Sequence, residues 1–197
     1  MIAVINYTNT NENIENLTNS LNKLGKEYKV TCSESEILRS DKVIFPGFGI
    51  ASKAIGKLHL TNLFSFLRMC KKPLLGVGLG MQLMAELSTE GGNIPCLGIF
   101  PYSAEKFTDE NMKIPFTGFN DVEIIKESKL FKGISQRENF YFSNSYFLPV
   151  NELTTSVAEN KIKFSASIEK GNYYGIQFHP EKSGGAGLKV LSNFIEL

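Results

Sequence analysis

Tryptophan is absent from this chain of 197 residues, histidine occurs twice and cysteine three times. Three cysteines at irregular positions (Cys32, Cys70, Cys96) cannot make a paired disulfide framework, and they suit a reducing compartment. Two histidines without a Cys-x-x-Cys leave little from which to build a zinc site, so no metal and no cofactor is expected. An excess of either charge is also missing. The 21 Lys and Arg stand against 20 Asp and Glu, a formal net charge of +1, which removes the main electrostatic reason to propose nucleic acid or an anionic membrane as partner. No apolar run approaches the roughly 18 residues that a membrane helix needs. The opening Met1-Ile2-Ala3-Val4-Ile5-Asn6 has neither the basic region nor the long apolar stretch of a signal peptide. A cytoplasmic protein is therefore expected.

What is present is ordinary globular material, 42% hydrophobic and 21% charged, long enough to bury a core without disulfides or metal staples. No repeat, linker or low-complexity tract interrupts it, and residues 1–197 read as a single domain. The first half alternates in type. Ile2 to Ile5, Tyr28 to Cys32, Lys42 to Phe45 and Leu74 to Val77 are short apolar runs of the kind that make strands buried on both faces. Between them, Ile14, Leu17, Leu21 and Leu24 fall at helical spacing before Gly25, and Leu63, Phe66, Leu67 and Cys70 form a second helical stripe ending before Pro73. A further helix is expected over Leu79 to Leu87. Such alternation implies an open α/β sheet, mostly parallel and flanked by helices. From about Leu97 the texture changes to strand-like runs: Asp121 to Ile125, Phe140 to Phe147, Phe164 to Ile168 and Tyr173 to His179. These predict an antiparallel extension of the sheet, closed by a helix from Leu188 to Ile195.

Ligands of open α/β sheets bind at the carboxyl ends of the strands, and two segments place glycines there. Phe45-Pro46-Gly47-Phe48-Gly49 follows one strand and Gly76-Val77-Gly78-Leu79-Gly80-Met81-Gln82 another. The second segment fails as a dinucleotide fingerprint, because the third glycine of that pattern would have to stand at Met81. Its other functional reading is a nucleophile elbow, Gly-x-Nuc-x-Gly, whose strained turn lifts the central side chain above the sheet at a helix N-terminus. The central residue here is Gly78, which carries no nucleophile, so a plain tight strand–helix junction stands beside that reading. Near the C-terminus, Gln177-Phe178-His179-Pro180-Glu181 delivers a histidine at a strand end, with a carboxylate two residues later. That pair has the chemistry of a general base and the group that orients it.

Four segments together resemble the class I (triad) glutamine amidotransferases: Phe45 to Gly49, Pro73 to Leu83, Phe140-Tyr141-Phe142-Ser143-Asn144-Ser145-Tyr146, and Gln177 to Gly184. Within that class, Pro180-Glu181-Lys182-Ser183-Gly184 and Ile114-Pro115-Phe116-Thr117-Gly118-Phe119-Asn120 are most similar to the glutaminase subunits of imidazole glycerol phosphate synthases. The resemblance implies a flavodoxin-like sheet with an antiparallel extension. It also implies hydrolysis of glutamine through a cysteinyl thioester, with ammonia passed to a (β/α)8-barrel synthase in a heterodimer that serves histidine biosynthesis. By the same resemblance His179 is the base, Glu181 its orienting carboxylate, and the Leu79 N–H an oxyanion donor beside the loop at Gly49. Gly47, Gln82, Glu90, Ser145 and Tyr146 line the glutamine pocket.

The family nucleophile falls on Gly78. Loss of a triad nucleophile costs about six orders of magnitude in turnover, and neither Cys70 nor Cys96 is placed to replace it. The expectation is a folded chain that can hold glutamine but barely turns it over, since glycine adopts the elbow without strain. Two origins for Gly78 stand side by side, an introduced substitution and a natural paralogue. Three other departures from the family pattern accompany it: Asn6-Tyr7-Thr8-Asn9-Thr10-Asn11 for Asp-Tyr-Gly-x-Gly-Asn, Phe116 and Phe119 for His and Trp, and Asn144 for His. Two alternative functions remain, a paralogue supplying ammonia for amidation of a surface-polysaccharide sugar and a non-catalytic glutamine-binding or regulatory subunit.

Overall fold

The computed structural model describes residues 1–8, 14–47, 49–108 and 113–197. Phe48, and the Asn9 to Asn11 part of the segment compared above, lie outside the described residues. The first half alternates as the apolar spacing predicts: β1 (Ile2–Ile5), α1 (Glu15–Lys23), β2 (Tyr28–Thr31), α2 (Glu34–Arg39), β3 (Lys42–Pro46), α3 (Ala51–Leu60), α4 (Leu63–Arg68), β4 (Leu74–Val77) and α5 (Leu79–Leu83). Helix α3 buries Ala51, Ala54, Ile55 and Leu58 at helical spacing, a stripe that the sequence reading missed, whereas the short α2 buries only Ile37.

After α5 come β5 (Ala85–Ser88), β6 (Ile94–Pro95), β7 (Phe100–Lys106), β8 (Phe116–Ile124), β9 (Arg137–Asn144), β10 (Tyr146–Phe147), β11 (Thr154–Asn160), β12 (Ile162–Lys170), β13 (Tyr173–Ile176) and α6 (Gly184–Glu196). Nine strands form one sheet in the order β2-β1-β3-β4-β13-β12-β11-β8-β9. The first five run parallel and the remaining four join antiparallel. The mostly parallel sheet with an antiparallel extension is thus observed, and β13 is the strand at which one pattern passes into the other.

The continuous apolar runs are explained by burial on both faces. Ile2 and Val4 of β1, Ile44 of β3, and Leu75 and Val77 of β4 join one core with α1 and α6. Ala3, Ile5, Val43, Phe45 and Leu74 point the other way, into a core with α3, α4 and α5. Alternate residues of a strand face opposite sides, so a strand covered on both must be apolar throughout.

Three expected boundaries are corrected. The helix expected over Leu79 to Leu87 ends at Leu83, and Ala85–Ser88 is instead a strand of a separate four-stranded sheet, β10-β7-β5-β6. The carbonyls of Leu83, Met84 and Ala85 accept from the backbone N–H groups of Leu97, Ile99 and Gly98. A distant loop has therefore taken the acceptors that a continuing helix would use. The run Phe140 to Phe147 breaks at Ser145: β9 pairs with β8 as far as Asn144, and Tyr146 then crosses to pair with Lys106 of β7. The strand expected to reach His179 stops at Ile176.

Candidate active site

Register brings three strand ends together. Pro46 of β3 lies opposite Val77 of β4, and Val77 lies opposite Ile176 of β13. The residues that follow, Gly47, Gly78 and the Gln177 to His179 segment, therefore leave the sheet along one edge. On the near side, β1 sits between β2 and β3, so successive connections diverge beside the carboxyl ends of β1 and β3. Such a switch point opens a crevice. A cavity of about 280 Å³ occupies it, lined by Asn16 and Leu17 of α1, by Pro46, Gly47, Gly49, Val77 and Leu79, and by Ser143, His179, Glu181 and Lys182.

Gly78 has φ 58° and ψ −119° at the start of α5, the strained geometry of an elbow. Its N–H donates to the Ile176 carbonyl at 2.8 Å, and its carbonyl accepts from Met81 N–H at 3.1 Å. The turn is thus tied both to the sheet and to the helix. A Cβ built on Gly78 would lie 3.3 Å from Nε2 and 3.2 Å from Cε1 of His179, and among the described residues no other atom beyond the turn lies within 4 Å. The missing side chain would point at the imidazole.

Two further glycines make the elbow possible by close approach. A Cβ on Gly47 would fall 2.1 Å from the Gly80 nitrogen, and one on Gly80 would fall 2.0 Å from the Phe45 carbonyl oxygen. Strand β3 and the first turn of α5 are in backbone contact, which only glycine allows.

His179 is held at three points. Its Nδ1 lies 2.8 Å from Oε1 of Glu181, its N–H donates to the Tyr141 carbonyl at 2.8 Å, and its own carbonyl accepts from the Ser183 hydroxyl at 2.7 Å. Ser183 also accepts from the Tyr141 N–H at 2.9 Å, so one buried hydroxyl ties the histidine turn to β9. That function of Ser183 was not read from the sequence, although the residue stands in the His-Pro-Glu-Lys-Ser-Gly segment. Pro180 opens a single 3-10 turn, Pro180–Lys182, which brings Glu181 back beneath the ring. The Glu181 side chain is 10% exposed, and its Oε2 has no hydrogen-bond partner among the described residues.

The other expected pocket residues gather next to this cleft but do not line it. Gln82 is buried, and its amide donates to the Tyr146 carbonyl at 2.8 Å and to Oε1 of Gln177 at 2.9 Å. Asn144 donates to the same Tyr146 carbonyl at 2.9 Å. Oε2 of Glu90 accepts from the Ala51 N–H, the first residue of α3, at 2.5 Å. Burial, and then the Glu90 charge, push the Tyr146 phenol above its ordinary pKa. Ser145 stands at the sheet-to-sheet crossing, and its carbonyl accepts from Phe107 N–H at 3.1 Å.

The two buried cysteines are inert. Burial first, then Glu90, pushes the Cys96 thiol up to about 11, and burial raises Cys70 as well. Attack requires the thiolate, so neither serves as a nucleophile near neutral pH. The third, Cys32, is exposed beyond the end of β2.

His179, the Glu181 carboxylate bonded to it and the positive-φ turn at Gly78 are thereby brought together at the strand ends. Residues 5–197 match the profile of the family described as glutamine amidotransferase class-I. The chain belongs to the class-I glutamine amidotransferases. It is 41% identical to the imidazole glycerol phosphate synthase subunit HisH of Bacteroides fragilis, an alignment covering 100% of this chain and 99% of that one. Identity to the subunit of the same name in Escherichia coli K12 is 37%, over 94% of each chain. The PurLQS structure from Thermotoga maritima superposes with a TM-score of 0.71 at 14% identity, covering 99% of this chain and 97% of that one. The glutaminase domain of Trypanosoma brucei CTPS with bound acivicin superposes at 0.65, also at 14% identity, covering 99% and 93%. These structural likenesses bear on the fold.

Proposed function

We propose that this chain is the glutamine-binding subunit of an imidazole glycerol phosphate synthase, folded as one amidotransferase domain over residues 1–197. It docks on a (β/α)8-barrel synthase in the cytoplasm, where it serves histidine biosynthesis, and Gly78 disables its own hydrolysis of glutamine. The assignment of pathway rests on full-length identity of 41% to a subunit of that name. The chemistry rests on one geometric observation, the Cβ direction of Gly78 toward Nε2 of His179 at 3.3 Å.

With cysteine at residue 78, His179 would take the thiol proton and the sulfur would attack the glutamine carboxamide. The Leu79 N–H, with the Gly47 to Gly49 loop, would receive the oxyanion, and His179 would return the proton to departing ammonia. Glu181 would hold the imidazole in the required tautomer. Glu90, Ser145 and Tyr146 would take the amino-acid end of glutamine, with Gln82 acting through the Tyr146 carbonyl. With glycine the carboxamide meets a base and no attacking atom, and turnover falls by about six orders of magnitude. Exposure of Phe119, 60% accessible on β8 and edge-on to Tyr141, supports a partner-facing surface near the cleft.

A second reading is favoured by Gly78 itself. In it the chain is a regulatory subunit whose glutamine occupancy tunes a synthase fed by free ammonia. A paralogue that serves sugar amidation shares the same site, and the identity of the co-purifying synthase separates it from the histidine pathway. The deciding experiment is a glutaminase assay of the chain and of Gly78→Cys, each with and without that synthase. Ammonia release only from Gly78→Cys supports a disabled amidotransferase. Family-level release from the chain itself refutes the disabling role of Gly78. An inert Gly78→Cys with partner bound refutes the assignment of the site.

A further inference from the structure

We propose that the site beside Gly78 accepts a small diffusible sulfur nucleophile, hydrosulfide or a short alkyl thiolate, in place of the missing side chain, and thereby regains glutamine deamidation. This rests on the reading of the cleft as a glutamine site and deepens it. Among the described residues, the position of the absent Cβ has the His179 ring as its one neighbour within 4 Å beyond the turn. His179 and both chain neighbours of Gly78, Val77 and Leu79, line a cavity of about 280 Å³ that Gly47 also borders. Glycine removes both the thiol and the carbon that would block another sulfur from standing there. His179 remains held by Glu181 at 2.8 Å and by the Tyr141 carbonyl at 2.8 Å, so the proton-transfer group is already ordered without the nucleophile.

The chemistry balances with hydrosulfide as co-reactant. Its sulfur forms a bond to the side-chain carbonyl carbon of glutamine, and the carbonyl electron pair moves to oxygen beside the Leu79 N–H. The oxygen pair then re-forms the carbonyl as the carbon–nitrogen bond breaks, and the nitrogen takes a proton from the His179 imidazolium and leaves as ammonia. The sulfur gives its own proton back to the imidazole, so the product is the γ-thiocarboxylate of glutamate and His179 is restored. Water hydrolyses the thiocarboxylate in solution to glutamate and hydrosulfide. Since the nucleophile is no longer tethered, the rate at 1 M hydrosulfide lies about 10⁵-fold below that of a cysteine at the same place, the low end of the advantage of tethering, and falls in proportion at lower hydrosulfide.

The test measures ammonia and γ-thiocarboxylate from glutamine at rising hydrosulfide, using the full chain with its synthase bound. The expected result is release that rises with hydrosulfide and saturates. His179→Ala should reduce it about 10²-fold, the lower range of a general acid–base contribution. Gly78→Ala, whose methyl takes the sulfur's approach, should abolish the hydrosulfide response. Release that is independent of hydrosulfide, or unchanged in His179→Ala, overturns the proposal. Glutamine binding by calorimetry and the activity of Gly78→Cys are measured in parallel. If both are present and hydrosulfide has no effect, the external-nucleophile site fails while the glutamine site stands. If both are absent, the underlying reading fails with it.

Discussion

The imidazole of His179 faces the α-carbon of Gly78 across the space a side chain would fill, with Nε2 3.3 Å from the ideal Cβ position. The elbow and its base are therefore preserved in relation to each other although the atom that would join them chemically is absent. Neither residue is near the other in sequence. The parallel pairing of β4 with β13, Val77 opposite Ile176, fixes their distance.

Gly78→Cys should gain glutaminase activity by about six orders of magnitude with the synthase bound. It should also lose stability, because φ 58° with ψ −119° strains any residue that has a Cβ, by about 1–3 kcal/mol. Steady-state ammonia release and chemical denaturation measure the two effects on one preparation. A gain in activity without any loss of stability would show that the turn relaxes.

Glu181→Gln, made on the Gly78→Cys background, should lower kcat by about 10⁴-fold with little change in KM, the cost of a wrongly held histidine tautomer. The carboxylate reaches Nδ1 at 2.8 Å and lies in a side chain only 10% exposed. A change confined to KM would assign Glu181 to glutamine binding instead.

Gly47 and Gly49 should respond differently to alanine. At Gly47 the added methyl would lie 2.1 Å from backbone nitrogen of Gly80, whereas at Gly49 it meets no atom of the described residues within 4 Å and φ 77° resists it. Gly47→Ala should cost about 3 kcal/mol, the upper range for overpacking. Gly49→Ala should cost about 1–2 kcal/mol, the penalty of a left-handed residue. Paired melting curves check the order, and equal losses would contradict the backbone contact between β3 and α5.

Gln82→Leu should destabilise the chain by about 1–3 kcal/mol, because it removes the donor to buried Gln177 Oε1 and one of two donors to the Tyr146 carbonyl. Glutamine affinity should weaken together with stability as Tyr146 shifts. Calorimetry of the variant reads the affinity, and unchanged binding would separate Gln82 from the pocket.

Glu169 supplies a pH dependence away from the cleft. Burial raises its pKa, opposed in part by the Ser128 hydroxyl. The folded state therefore binds this proton more tightly than the unfolded state. The associated stability is fully present below the ordinary glutamate pKa and is lost as pH rises through the raised value. Glu169→Gln should flatten the stability curve across that mildly acidic window and leave the variant relatively more stable at neutral pH. Denaturation series at several pH values test the sign.

Apolar runs at Ile2 to Ile5 and Leu74 to Val77 by themselves determined doubly covered parallel strands, because no other element of that length buries every residue. The glycine spacing around Gly78 and the His179-Pro180-Glu181 triplet likewise marked a tight strand–helix turn and a histidine–carboxylate pair, since both depend on residue type and local order. What only the tertiary structure decided depends on long-range pairing. The end of α5 at Leu83 follows from carbonyls captured by residues 97–99, and the break at Ser145 follows from β10 leaving for a second sheet. The clamp of Ser183 between His179 and Tyr141 joins segments 42 residues apart. No local propensity encodes such bonds, because each exists only after distant backbone has been brought within hydrogen-bonding reach.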